Sequence, residues 1–146
     1  MLGLAMAGIV ARPLTCPPLT ADAFPYERLA EADLIYIALH GGPKARVLYG
    51  DGQIPALTIE KITDGPSMHA VVILEGCYGA KTAFPQAFLQ KGASAVIGST
   101  QQTFDRRIGL GPAGHTGMKI ARRLRDGLSP VDAVRDSDFI LVEVDR

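Results

Sequence analysis

Cysteine is scarce in this chain, net charge is nil, and no apolar run approaches the length of a bilayer span. Each absence removes a class of protein. The two cysteines, Cys16 and Cys77, are too few for a disulfide framework, and neither a CxxC pair nor a Cys/His cluster offers the spacing of a zinc site. Thiols kept reduced are the simplest reading, so we expect a cytoplasmic protein with no metal and no cofactor. The 15 basic residues balance the 15 acidic ones, and no block of Lys or Arg stands alone. That argues against a nucleic-acid partner and against binding to an anionic membrane. The opening "MLGLAMAGIVA" is apolar but lacks a basic flank and is too short to span a bilayer; it reads as a buried strand.

What is present fits one domain over residues 1–146. At 146 residues, a compact chain buries roughly two-thirds of its unfolded surface and can rest on a single core. Short apolar runs with strand-like flanks occur at Ala7–Val10, Leu34–Leu39, Val71–Leu74, Ala95–Gly98 and Phe139–Val144. "LIYIAL", "VVIL" and "AVIG" are continuously apolar, as strands covered on both faces of a parallel sheet are. Helical stretches lie between them. "TADAFPYERLAEA" has Thr20 or Asp22 as a cap, "TAFPQAFLQKG" stops at Gly92, and "TGMKIARRLRDG" is capped by Thr116 and ended by Gly127. "RVLYGDGQIPALT" reads as a hairpin and "SPVDAVRD" as a short helix with Pro130 at its first position. Strands alternating with helices predict an α/β fold with a mainly parallel sheet flanked by helices.

Ligands of such sheets bind beyond the carboxyl ends of the strands. Two reactive residues sit at those ends: "LIYIALHGG" finishes with His40 and Gly41, and "VVILEGCYG" with Cys77. A thiolate is the nucleophile of cysteine hydrolases, and an imidazole beside a thiol promotes the thiolate and later protonates the leaving amine. The Gly41 N–H and the Cys77 N–H form an expected oxyanion hole. The helix after Cys77 is expected to aim its N-terminus at the same place. A strand-terminal Cys is often only a small hydrophobe and a strand-terminal His is commonly structural; the joint placement carries the reading.

The run from "DLIYIALHGG" through "HAVVILEGCYGA" and "AFPQAFLQKGASAVIGST" to "GLSPVDAVRD" resembles the CHAT domains of the caspase-like clan of cysteine peptidases, over Asp33 to about Asp136. Its "EGCYG" segment and its His-before-Cys order also resemble gingipain-like, legumain-like and metacaspase-like peptidases, and differ from the papain order. The resemblance implies a caspase-like three-layer sandwich, a His40–Cys77 dyad, Gly41 in the oxyanion hole, and a cysteine endopeptidase acting on peptide or protein substrates. The segment before the His strand is shorter than is usual in this clan, so a homo-oligomer or a larger partner protein is a further expectation. Strand alternation puts Glu75 on the side of Cys77. Legumain-like and metacaspase-like enzymes resemble this arrangement, with an acid two places before the Cys lining the primary specificity pocket, which implies substrate binding by Glu75 and cleavage after a basic residue. The competing reading is an acid held by Arg or by backbone amides.

Other signals weigh less. Gly109, Gly111 and Gly114 have GxGxxG spacing, but the segment before them is polar rather than a strand, so a loop walling the cleft over Gln101–His115 is favoured over a phosphate cradle. His69 and His115 lack ligand-spaced partners and read as surface residues. Arg122, Arg123 and Arg125 read as a solvated helix face. Tyr78, Lys81 and Thr82 border either the cleft or solvent. Two alternatives to the peptidase stand beside it: a non-catalytic caspase-like assembly module, and a nucleotide- or anion-binding α/β domain.

Overall fold

A computed structural model describes residues 14–102 and 112–143, with the side chains of 112–115 outside that description. The apolar stretch at Ala7–Val10 and the glycines Gly109 and Gly111 lie outside the described residues. The elements run α1 (Arg28–Glu31), β1 (Leu34–Ile37), β2 (Val47–Tyr49), β3 (Pro55–Thr58), α2 (Ile59–Asp64), β4 (Val71–Leu74), α3 (Phe84–Gln90), β5 (Ala95–Ser99), α4 (Pro112–Arg125), α5 (Pro130–Ala133) and β6 (Phe139–Val142).

The main sheet has the order β1-β4-β5-β6. Strands β1, β4 and β5 are parallel, with Ile37 beside Leu74 and Leu74 beside Gly98, while β6 returns antiparallel. The continuously apolar strands are explained by cover on both faces. On one face Ile35, Ile37, Val72, Leu74 and Val96 pack against Leu48 and Leu57 of the hairpin, Ile59 and Ile62 of α2, and Phe84 and Phe88 of α3. On the other, Ile73 and Ile97 meet Ile120 and Ala121 of α4, Ala133 of α5 and Phe139. The chain is thus a mixed α/β fold with a mostly parallel sheet and helices on both faces.

Several elements differ from their sequence patterns for local reasons. The helix expected across "TADAFPYERLAEA" is reduced to α1, with Glu27 rather than Thr20 or Asp22 at its N-cap. Pro25 lacks an N–H and pushes Phe24 out of helical conformation, so the first half is a series of turns. Helix α2 was not evident in the sequence; Thr58 caps it by accepting the Lys61 N–H at 3.3 Å. Helix α4 begins at Pro112, not after Thr116, so Gly114 and Thr116 are helical, and residues 103–111 of the expected wall loop lie outside the described residues. Proline at a first helical position is already set for the helix. Gly92 (φ +101°) and Gly127 (φ +95°) follow α3 and α4 in left-handed conformation, as their stop role requires. Among the described residues no helix is long and apolar enough to cross a membrane.

Candidate active site

The site is built where β1 and β4 end side by side. The Glu75 N–H donates to the Ile37 carbonyl at 2.8 Å, one step beyond the last strand pair. The next residue, Gly76, sits so close to Leu39 that a side chain would strike the Leu39 carbonyl oxygen, and its Cβ position is 3.9 Å from the Gly41 nitrogen. Reciprocally, the Cβ position of Gly41 is 3.6 Å from the Cys77 carbonyl oxygen. The segments Leu39–Gly41 and Gly76–Cys77 therefore run against one another at one edge of the sheet, carrying His40 and Cys77.

Each segment is held by a different element. His40 is paired to the hairpin: its N–H donates to the Tyr49 carbonyl at 2.8 Å and its carbonyl accepts the Tyr49 N–H at 2.9 Å. Its side chain is exposed. The hairpin end is in turn fastened by the Pro-rich loop, where the Cys16 carbonyl accepts the Asp51 N–H at 3.1 Å. The Cys16 sulfur lies 3.6 Å from the Ile54 carbonyl, so Cys16 is a structural thiol in this arrangement. Neither cysteine is in a disulfide, and both are half-buried.

Cys77 enters a tight turn. Tyr78 is left-handed at φ +55°, and its N–H donates to the Gln101 carbonyl at 2.9 Å. A short 3-10 turn over Gly79–Lys81 follows, pinned by Thr82, whose hydroxyl donates to the Gly79 carbonyl at 2.9 Å. The loop after His40 docks on this turn through Lys44 N–H to Lys81 carbonyl (2.8 Å) and Ala83 N–H to Ala45 carbonyl (3.0 Å). Thr82 is buried within this junction, Lys81 is exposed, and the Lys81 ammonium lies 5.9 Å from the Tyr78 ring centre. The turn also corrects one expectation. Helix α3 starts only at Phe84, after the Gly79–Lys81 turn, and not directly after Cys77 as expected.

Among the described residues the Gly41 N–H has no hydrogen-bond acceptor, which leaves it available for the oxyanion role expected of it. Glu75 is buried, 7% exposed, with Oε2 3.1 Å from the Cβ position of Gly117 on α4. It lies on the sheet face of Ile73. Strand alternation does not carry on from Glu75 to Cys77, because β4 ends at Leu74 and the chain bends at Gly76.

The remaining candidates sit apart. His69 is exposed at the opposite end of β4, 3.0 Å from Asp33. Arg122 and Arg125 are exposed, but Arg123 is not part of a solvated face: it donates to the carbonyls of Ala133 (3.1 Å) and Arg135 (2.9 Å), closing the end of α5. The His115 side chain is outside the described residues. No group of three metal-ligating side chains occurs among the described residues. Sequence reasoning missed three positions: Gly76, whose size sets the strand spacing; Tyr49, which holds His40; and Tyr36, whose hydroxyl packs against Gly117 of α4 as Glu75 Oε2 does. The Gly76 signal was present as a glycine directly before Cys77, whereas the other two depend on pairings that only the fold creates. No family model matches this chain, and no curated protein matches it.

Proposed function

We propose that the chain is a caspase-like, CHAT-type cysteine endopeptidase with His40 and Cys77 as its dyad. The observation that supports this reading best is the contact of Leu39–Gly41 with Gly76–Cys77 at the carboxyl edge of two adjacent parallel strands. In the proposed reaction His40 takes the Cys77 proton, and the sulfur attacks the substrate carbonyl carbon. The N–H groups of Gly41 and Cys77 receive the oxyanion. Such donors typically contribute a few kcal/mol when aimed at the transition state. Collapse breaks the C–N bond, and the imidazolium passes its proton to the leaving amine. Water, deprotonated by His40, then hydrolyses the thioester and restores the thiol. Glu75 belongs to the primary pocket in this reading, which favours a basic residue before the scissile bond. Two cysteines outside any disulfide suit a reducing compartment such as the cytoplasm.

A fluorogenic peptide panel tests this directly. Cys77→Ala and His40→Ala should each lower turnover by roughly a thousandfold or more, Cys16→Ala should leave it near wild type, and an electrophilic peptide should label Cys77 stoichiometrically. Turnover that survives Cys77→Ala rejects the proposal.

A further inference from the structure

Ser99 ends β5 and is only 1% exposed. Its hydroxyl donates to the Gln101 carbonyl at 3.0 Å, and its oxygen accepts the Gln101 N–H at 3.2 Å. A hydroxyl can donate and accept at once. Here both bonds go to one residue, so Ser99 fixes the peptide units on either side of the Gln101 Cα. The Gln101 carbonyl also accepts the Tyr78 N–H at 2.9 Å, as an oxygen with a second lone pair allows. That N–H belongs to the peptide unit whose carbonyl is that of Cys77. Such a unit is planar and stiff, so holding its N–H also holds the Cys77 carbonyl, which lies 3.6 Å from the Cβ position of Gly41.

Tyr78 needs such a hold. It is left-handed, at φ +55° and ψ +34°, a costly conformation for a residue with a Cβ, and one that persists where the surroundings over-determine it. Part of that determination is steric. A Cβ at Gly98 of β5 would lie 2.5 Å from the Ala80 nitrogen, and one at Gly79 would strike the Leu74 carbonyl oxygen. The turn after Cys77 is therefore seated directly on β4 and β5. Contact sets how near the turn lies, whereas the Gln101 hydrogen bond sets how the Cys77–Tyr78 peptide unit is rotated.

We propose that Ser99 is a positioning residue for Cys77, acting through Gln101 and Tyr78. This rests on the cysteine-endopeptidase reading and adds to it a residue on the neighbouring strand. Gln101 is exposed, so without the Ser99 hydroxyl its carbonyl can turn to water. Tyr78 then relaxes out of its left-handed conformation and carries Cys77 with it. The sulfur loses its fixed direction relative to His40 and to the Gly41 and Cys77 N–H groups. A displaced nucleophile slows the chemical step and leaves ground-state binding of the peptide in place, so the loss belongs to kcat.

The test uses Ser99→Ala in the full chain, with Ser129→Ala as control. The control likewise deletes a hydroxyl that accepts a backbone N–H, that of Asp132 at 3.2 Å, but at the cap of α5. By NMR, exchange of the Tyr78 amide should be slow in wild type and in Ser129→Ala, and faster by roughly tenfold or more in Ser99→Ala. In Ser99→Ala, kcat for peptide cleavage should fall by about tenfold to a hundredfold, with KM within about twofold of wild type. Alkylation of Cys77 by iodoacetamide, followed in a Cys16→Ala background, should slow by a similar factor. Unaltered Tyr78 exchange overturns the proposal, as does faster exchange with unaltered kcat. Equal losses of kcat in Ser99→Ala and Ser129→Ala overturn it too, because general destabilisation would then explain both. A wild-type chain that cleaves no peptide, yet shows faster Tyr78 exchange and slower Cys77 alkylation with Ser99→Ala, supports the role of Ser99 and rejects the peptidase. Unaltered alkylation in such a chain overturns both.

Discussion

A single hydrogen atom in place of a methyl group sets the spacing of the candidate dyad. At Gly76 a Cβ would meet the Leu39 carbonyl oxygen, and neither backbone can give way, because Glu75 is bonded to Ile37 on one side and His40 to Tyr49 on the other. Gly76→Ala should therefore part the two segments. Overpacking of this kind typically costs about 1–3 kcal/mol, and a displacement of about 1 Å between reacting groups costs on the order of a hundredfold in rate. The expected result is a large fall in kcat with a modest fall in denaturation midpoint. Gly42→Ala is the control for stability. Nothing lies within 4 Å of its Cβ position, so its unfolding free energy should stay within about 0.5 kcal/mol of wild type. An active, fully stable Gly76→Ala enzyme would show that the close approach does not hold the pair. Gly41 differs from both, because its Cβ position lies 2.8 Å from Leu48 Cδ2, so substitution there would push on the buried Leu48 side chain as well as act on the oxyanion.

Among the elements, the hairpin β2–β3 does most to place His40, and it is anchored at both ends. The Cys16 loop fastens its turn, and at its base the Arg46 guanidinium donates to Glu60 in the first turn of α2 at 2.9 Å. That hydrogen bond holds the Glu60 carboxyl below its ordinary pKa. A depressed carboxyl favours the folded state above the unfolded pKa, and the contribution disappears as pH falls through the folded value. Both groups are exposed, so the stabilisation is small and is best read at the residue. Arg46→Gln should raise the Glu60 pKa toward the usual glutamate range in an NMR titration. A Glu60 titration that ignores Arg46→Gln would mean the pair does not persist in solution. The element boundaries also show what the sequence could tell. Strands β4 and β5, helix α3 and the hairpin were legible because apolar runs, glycine stops and turn residues are local signals. The shortened α1, the early start of α4 and the capped α2 were not. Pro25, Pro112 and Thr58 act through backbone details that weigh little against an apolar pattern.

At the scale of the whole molecule, the two faces of the sheet are unequally filled among the described residues, and Glu75 lies on the thinner one. The face of α2 and α3 buries two phenylalanines, Phe84 and Phe88, together with Ile59, Ile62 and the hairpin leucines. The face of α4 and α5 rests, among the described residues, on Ile73, Ile97, Ile120, Ala121, Ala133 and Phe139. The sequence disclosed that both faces are covered, through its unbroken apolar strands, and it put His40 and Cys77 at one edge. It did not disclose which face is weaker, or that Glu75 is roofed by Gly117, since those follow from which helix packs where. Segments with less buried apolar area open first. Under native conditions the amides of α4 and α5 should therefore exchange through a sub-global opening that leaves β4 and α3 protected. Ile120→Ala, at a site 1% exposed, removes buried methyl groups worth about 2–5 kcal/mol from that unit. It should speed exchange in α4, α5 and β6 well before the rest. Phe88→Ala, at a fully buried site, should cost a similar or larger amount but lower the protection of every slow amide together, because it strikes the core on which the whole sheet depends. Uniform acceleration of all amides in both variants would instead mean that the molecule opens as one unit.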